Sequence, residues 1–244
     1  MRFWLGFLFA VCSAMGWAST IRLVSPEYPP YASAATPNAG AMAELIQQTL
    51  GKKYQVKIVF LPWARALSEV NSGRVDGAIL MWPADYVGLQ LSASRPIFMS
   101  KLGFYTRSTE PLPSVDLSQL RGKIVGTVRA YGYPTSLKEA GVIFEEVNDD
   151  QTNLKKLSAG RIDRIVVERA VAQYLLRTLP AAAKWSQQVI WREPAIASLP
   201  LTIGFAKTKP EIIEAAAFFE QEMQRLKKTG QLRELAERYE VELP

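Results

Sequence analysis

Residues 72–80 read SGRVDGAIL and residues 159–167 read AGRIDRIVV, nearly the same nonapeptide 87 positions apart. Each copy follows an amphipathic run, WARALSEVN before the first and DDQTNLKKLS before the second. Each has glycine at its second position, Gly73 or Gly160, where a helix end favours the left-handed conformation that glycine adopts without penalty. Each closes on apolar residues, AIL and IVV, suited to a buried strand. The pair therefore predicts one helix-to-strand joint built twice, and the flanking segments extend the duplication.

Upstream of the first copy, IRLVS reads as a strand running into the proline-stiffened PEYPPY. NAGAMAELIQQTLGKKY reads as a helix stopped by Gly51, and QVKIVFLP as a strand. Upstream of the second copy, GKIVGTVRAY reads as strand then loop, YPTSLKEAG as a short helix and VIFEEV as a strand; AVAQYLLRTL follows as a helix. Alternating strands and helices favour parallel sheets covered by helices. The tail holds a strand-like run, SLPLTIGFAKTKPEI, and a long helix begun by Pro210 with apolar residues at Ile212, Ala216, Phe219, Met223 and Leu226. Gly230 divides it from a last helix carrying Leu232, Leu235 and Tyr239. These helices have no third sheet to cover, so they are expected back on the first half, with chain segments near 101–107 and 199–206 crossing between halves.

Composition narrows the chemistry. The chain has no histidine and one cysteine, Cys12. That removes Ser-His-Asp and Cys-His nucleophilic catalysis and the usual zinc sites, and leaves carboxylates, Lys, Tyr and Ser-Lys pairs. No metal or other cofactor is expected. The opening MRFWLGFLFAVCSAMGWAST has the order of a secretory signal, with cleavage expected after Ala18. Its apolar run is shorter than the roughly 20 residues a membrane span needs. The remainder, residues 19–244, would have no disulfide and no lipid anchor. Lys and Arg outnumber Asp and Glu, 29 to 23, but the charges are scattered, which does not point to nucleic acid.

Taken together, YPPY, PWARALSEVNSGRVDGAI, DLSQLRGKIVGTVRAYGY, LSAGRIDRIVVERAVAQYLL and LTIGFAKTKPEI with LKKTGQLRELAERY resemble the amino-acid type of periplasmic solute-binding proteins, extracellular family three. The resemblance implies an α/β fold of periplasmic-binding-protein type: two α/β lobes joined by a two-stranded hinge, with a ligand cleft between them. Lobe one would span 19–104 plus 204–244, and lobe two 105–203. It also implies a monomer that binds a small polar ligand and presents it to a membrane ABC permease or to a sensor protein. Ligand contacts are expected from both lobes: Glu27, Tyr28, Tyr31, Trp63 and Trp82 from the first, and Arg129, Tyr131, Tyr133 and Glu168 from the second. Aromatic faces give contact area at low entropy cost and can hold a cation. Arg129 would offer a two-pronged donor to an anionic group, and Glu168 an acceptor to an amino group.

Several of these residues have a plainer reading. Trp63 could plug the start of its helix, Trp82 could pack against the hinge, Tyr131 and Tyr133 could pack beneath their loop, and Glu168 could pair with Arg164 or Arg169. Arg65 is expected to be solvated or paired with Glu69 one turn on. Asp76 and Asp163 are read as partners of backbone groups near the strand starts. One departure stands out: the family's amino-acid binders usually carry an arginine just after the third strand of lobe one. Here that stretch reads MWPADYVGLQLSASRP, with no arginine before Arg95. The ligand is then a standard amino acid held by Arg129 alone, or a modified amino acid, an amine, or a small aromatic or cyclic compound. Some relatives on this fold resemble cyclohexadienyl dehydratases, for which Glu168 or Glu27 would be the acid. The expectation here is a binding protein and no catalytic residue.

Overall fold

The structure, a computed structural model, describes residues 19–110, 116–180 and 185–244. The expected signal segment, residues 1–18, lies outside them. No helix among the described residues is long and apolar enough to cross a membrane.

The first half builds strand β1 (Thr20–Ser25), helix α1 (Ala41–Thr49), β2 (Gln55–Phe60), α2 (Trp63–Asn71) and β3 (Gly77–Met81). β1 lies between β2 and β3 and runs parallel to both. After a short β4 (Leu91–Ala93) and the long β5 (Phe98–Arg107), the pattern recurs. It gives β6 (Ile124–Val128), α3 (Thr135–Glu139), β7 (Ile143–Val147), α4 (Asp150–Ser158) and β8 (Arg164–Glu168). β6 lies between β7 and β8, again parallel to both. α5 (Arg169–Thr178), β9 (Val189–Ala206), α6 (Pro210–Thr229) and α7 (Gln231–Tyr239) complete the chain.

The two three-stranded units are joined by β5 and β9. The strand order is β2-β1-β3-β9-β5-β8-β6-β7, with β4 also on β9. β9 runs antiparallel to β3 through its last residues and to β5 along most of its length. β5 in turn runs antiparallel to β8. Two extended segments thus pass from one α/β unit to the other, as the sequence predicts.

The repeated nonapeptide occupies the same joint in both units. Gly73 and Gly160 follow the ends of α2 and α4 with φ of +70° and +68°, the left-handed values a helix terminus favours. α1 stops earlier than Gly51 suggests, at Thr49, where the chain tightens into a 3-10 turn over Leu50–Lys52. Asp76 accepts from the Arg22 backbone N–H at 2.8 Å and from Lys209 Nζ at 2.6 Å. Asp163 differs from the expectation: its half-exposed carboxylate faces Arg107 at 3.5 Å.

The closing helices return to the first unit. Arg238 Nη1 and Tyr239 Oη of α7 donate to Glu44 of α1 at 2.9 and 2.6 Å. In α6, Glu222 pairs with Lys52 and Phe219 packs on Phe205 of β9.

Candidate functional site

The ends of β1, β3, β6 and β8 converge between the two units, which is where open α/β sheets carry ligands. From the first unit come Tyr28 and Tyr31, in the loop after β1, and Trp82, directly after β3. Tyr28 and Tyr31 stack with centroids 5.9 Å apart. From the second unit, the loop after β6 sends Tyr131 and Tyr133 across. Tyr131 meets Tyr28 edge-on at 6.0 Å and Trp82 at 5.6 Å, and Tyr133 lies 6.0 Å from Trp82. One aromatic cluster therefore spans both units.

Pro26, Tyr28, Trp63, Leu80, Trp82, Asp85 and Tyr131 surround a cavity of about 230 Å³, its solvent-open mouth included. Its enclosed part is only about 10 Å³, room for about one water against the roughly 300–1,000 Å³ of ligand pockets, so any organic ligand needs the two sides to part. Leu80 reaches the cavity through backbone strain. Its φ is +64°, at a register irregularity between Ile79 and Met81 in the pairing of β3 with β9. Bulges of this kind re-aim side chains beside binding sites.

Three carboxyl groups are buried at the cluster: Asp85, Asp150 and Glu168. Asp85, which the sequence analysis did not select, accepts from the Trp82 backbone N–H at 2.7 Å and from Trp63 Nε1 at 3.4 Å. It also accepts from the Gly132 backbone N–H across the cleft, and burial pushes its carboxyl up to about 6. Asp150, at the start of α4, accepts from Tyr131 Oη at 3.2 Å and is pushed by burial up to about 7. Glu168 caps α5, accepting from Val171 N–H at 2.7 Å and from Tyr31 Oη at 3.4 Å. Burial raises it to about 7 against the pull of those donors and of the Ala170 and Lys101 backbone N–H groups. In all three cases loss of hydration disfavours the charged form. Burial likewise raises the phenols of Tyr28, Tyr31, Tyr131 and Tyr133.

Among the described residues, Tyr28 Oη and Trp82 Nε1 of the cluster have no hydrogen-bond partner. A buried donor left unsatisfied costs free energy, and a ligand group could recover it.

The expected site residues separate into three groups. Tyr28, Trp63, Trp82 and Tyr131 line the cavity. Tyr31, Tyr133 and Glu168 stand just behind it with their polar atoms engaged: the Val128 N–H donates to Tyr133 Oη at 2.8 Å, and the single Tyr31 O–H is shared between Glu168 and Met99 O, the latter at 3.2 Å. Glu27 and Arg129 are apart from the aromatic core. Glu27 lines a neighbouring groove with Ser33, Asp149, Asp150 and Tyr174, and accepts from the Ala34 N–H at 3.2 Å. Arg129 is over half exposed and faces Glu146 at 3.5 Å and Asn148 at 3.4 Å. Arg65 pairs with Glu69 at 2.6 Å, as the helical spacing suggests.

The plainer readings fare unevenly. Tyr133 does anchor its loop, whereas Glu168 pairs with neither Arg164 nor Arg169, which face Glu110 and Glu193. Asp85 and Asp150 were missed because an acid three or four residues past a strand, or at a helix start, reads as an ordinary turn or cap residue. The one available signal for Asp85 was its place in the stretch MWPADY, where the resemblance leads one to look for a cation.

Comparison with known proteins places this geometry. The chain superposes on a histidine kinase sensor domain with similarity to periplasmic binding proteins, with a TM-score of 0.81 and 23% identity over 93% of this chain and 99% of that one. It superposes on an ancestral arginine-binding protein bound to arginine with a TM-score of 0.75, 21% identity and coverage of 91% and 98%. The glutamate-bound GluR0 ligand-binding core from Nostoc punctiforme gives 0.74, 19% identity and coverage of 90% and 98%. At these identities the likeness establishes the periplasmic-binding-protein fold and leaves the ligand open. No curated protein matches the chain in sequence. The family profile for bacterial extracellular solute-binding proteins, family 3, matches residues 22–242, and the chain belongs to that family.

Proposed function

We propose that the protein is a periplasmic receptor that captures a small polar solute, amino-acid-like or non-standard, and delivers it to an ABC importer. Lobe one, residues 19–104 with 204–244, would close on lobe two, residues 105–203, by bending where β5 and β9 pass between them. The observation that carries this reading is the buried aromatic and acidic cluster drawn from both units, in which Tyr28 Oη and Trp82 Nε1 have no partner. A ligand that touches both lobes favours the closed form, and only such differential contact can drive closure. Hinge closure of periplasmic binding proteins is a known motion of this fold; what supports it here is the seam of contacts between the units. Tyr31–Glu168, Trp82–Tyr131 and Asp85–Gly132 all cross that seam.

Thermal-shift screening of the purified protein against polar metabolites is the test. A bound solute raises the melting temperature through linkage, and Trp82→Ala should abolish the rise. A broad panel without a hit overturns the receptor reading.

A sensory receptor is the second reading, favoured by the likeness to a histidine kinase sensor domain. Deleting the gene separates the two: loss of uptake of the labelled ligand supports delivery to an importer, and intact uptake with a lost response supports sensing. Turnover of prephenate or arogenate by the purified protein would replace both with an enzyme of the dehydratase kind.

A further inference from the structure

We propose that the cleft selects a small organic cation that carries no carboxylate, such as a primary ammonium or guanidinium compound with a neutral hydrogen-bond acceptor elsewhere in the molecule. The inference rests on the receptor reading and names its class of ligand.

The charges on the two faces of the cleft carry it. Asp85 and Asp150 approach the aromatic cluster from opposite units, with Glu168 behind Tyr31, and none of the three has an ion-pair partner among the described residues. The cations beside these acids are engaged elsewhere: Arg129 faces Glu146, while Lys101 and Arg169, which line a groove with Glu168, pair with Glu242 and Glu193. The groove beside the cavity adds Glu27 and Asp149 and has no Lys or Arg in its lining. A chain of net charge +6 thus gathers uncompensated acid at one place, between its lobes.

Burying carboxylates without a counter-charge is costly, and a bound cation returns much of that cost. The rings of Tyr28, Trp63, Trp82 and Tyr131 supply the electron-rich faces on which a cation rests. The partnerless Trp82 Nε1 can only donate, so it calls for a neutral acceptor on the same ligand. A ligand carboxylate, by contrast, would meet like charge and, among the described residues, no cation free of another partner.

Asp85 and the phenols of Tyr28 and Tyr131 line the cavity; Asp150 opens on the neighbouring groove, Tyr31, Tyr133 and Glu168 stand behind, and Asp149, Glu146, Lys101, Arg169 and Glu242 lie further out. Burial keeps the phenols protonated. It also holds the carboxyl groups near 6 to 7, so an incoming cation displaces protons from them. Binding should therefore tighten as the pH rises through that range, by up to about tenfold per pH unit for each proton displaced.

Calorimetric titration with matched pairs tests the proposal: agmatine against arginine, 1,5-diaminopentane against lysine, tyramine against tyrosine. At about pH 8, at least one carboxylate-free member should bind about tenfold or more tighter than its amino acid, and weaken toward about pH 5. Asp85→Asn and Asp150→Asn should each weaken that member by about tenfold. The proposal falls if the amino acid of a pair binds as tightly or more tightly. It also falls if a neutral or anionic solute binds and Asp85→Asn leaves it unaffected; the receptor reading would survive either result. Failure of these pairs and of a general solute panel alike would overturn both.

Discussion

The joints at β3 and β8 share a sequence and differ in what surrounds them. Both helices end on a left-handed glycine, and both strands then run into the core beside a parallel neighbour, β1 or β6. After that they diverge. Asp76 is buried between the Arg22 N–H and Lys209, while Asp163 is half exposed beside Arg107. Gly77 lies against β9, where a Cβ would drive into the Gly204 carbonyl oxygen; its counterpart Arg164 carries a long side chain facing Glu110 at 3.9 Å. At the far ends, β3 delivers Trp82 and, three residues on, Asp85, while β8 delivers Glu168 directly. A repeat of this kind fixes the frame and leaves its exits free to specialise.

The acids at those exits give the largest expected effect. Asp85 is raised from 3.8 to about 6 and Glu168 from 4.5 to about 7, both by burial. An acid whose carboxyl is raised on folding stabilises the protein below its unfolded value, and loses that contribution as pH rises through the folded value. Ligand-free protein should therefore lose on the order of 3 kcal/mol per group between about pH 4 and pH 8. Melting temperatures across that range should fall for the wild type and flatten in Asp85→Asn and in Glu168→Gln. Equal slopes in all three would break the parallel between the exits.

Gly77→Ala comes next, at about 3 kcal/mol or more by denaturant titration, because the clash is with backbone that cannot move aside. Arg164→Ala should cost less, about 1 to 2 kcal/mol, since it removes a mostly buried side chain paired with Glu110 and creates no backbone clash. Comparable losses at the two positions would mean that β3 and β8 are not distinguished by β9. Asp76→Ala should cost about 2 to 3 kcal/mol, since it strands a buried N–H and Lys209, against no more than about 0.5 kcal/mol for Asp163→Ala. Gly73→Ala and Gly160→Ala should cost about 1 kcal/mol each. This is the one position where the two joints are expected to behave alike.

Much of the fold was legible in the residues themselves. Helix stops at Gly73, Gly160 and Gly230, the helix start at Pro210 and the apolar strands are local signals, and they fall where the sequence put them. The site was legible in part. Tyr28, Trp82 and Tyr131 could be chosen because they follow strands at the ligand-facing edge of such a sheet, and Trp63, which starts α2, from its place in the family resemblance. Arg129 could not be judged, since an arginine after a strand can turn toward the cleft or, as here, toward Glu146 and Asn148. Asp150 was hidden because its partner, Tyr131, is 19 residues away in sequence.

By itself the sequence determined the duplicated α/β frame, because periodicity and glycine stops act over a few residues and need no distant partner. Tertiary structure decided the rest. It alone brings β3 against β9, makes a glycine obligatory at one joint and an arginine acceptable at the other, and strands three carboxyl groups beside aromatic rings without a cation. The physical reason is that burial and charge compensation belong to the assembled lobes. A carboxylate's cost is set by what the fold places around it, and that is written across distant segments: Tyr31 and Glu168 are 137 residues apart.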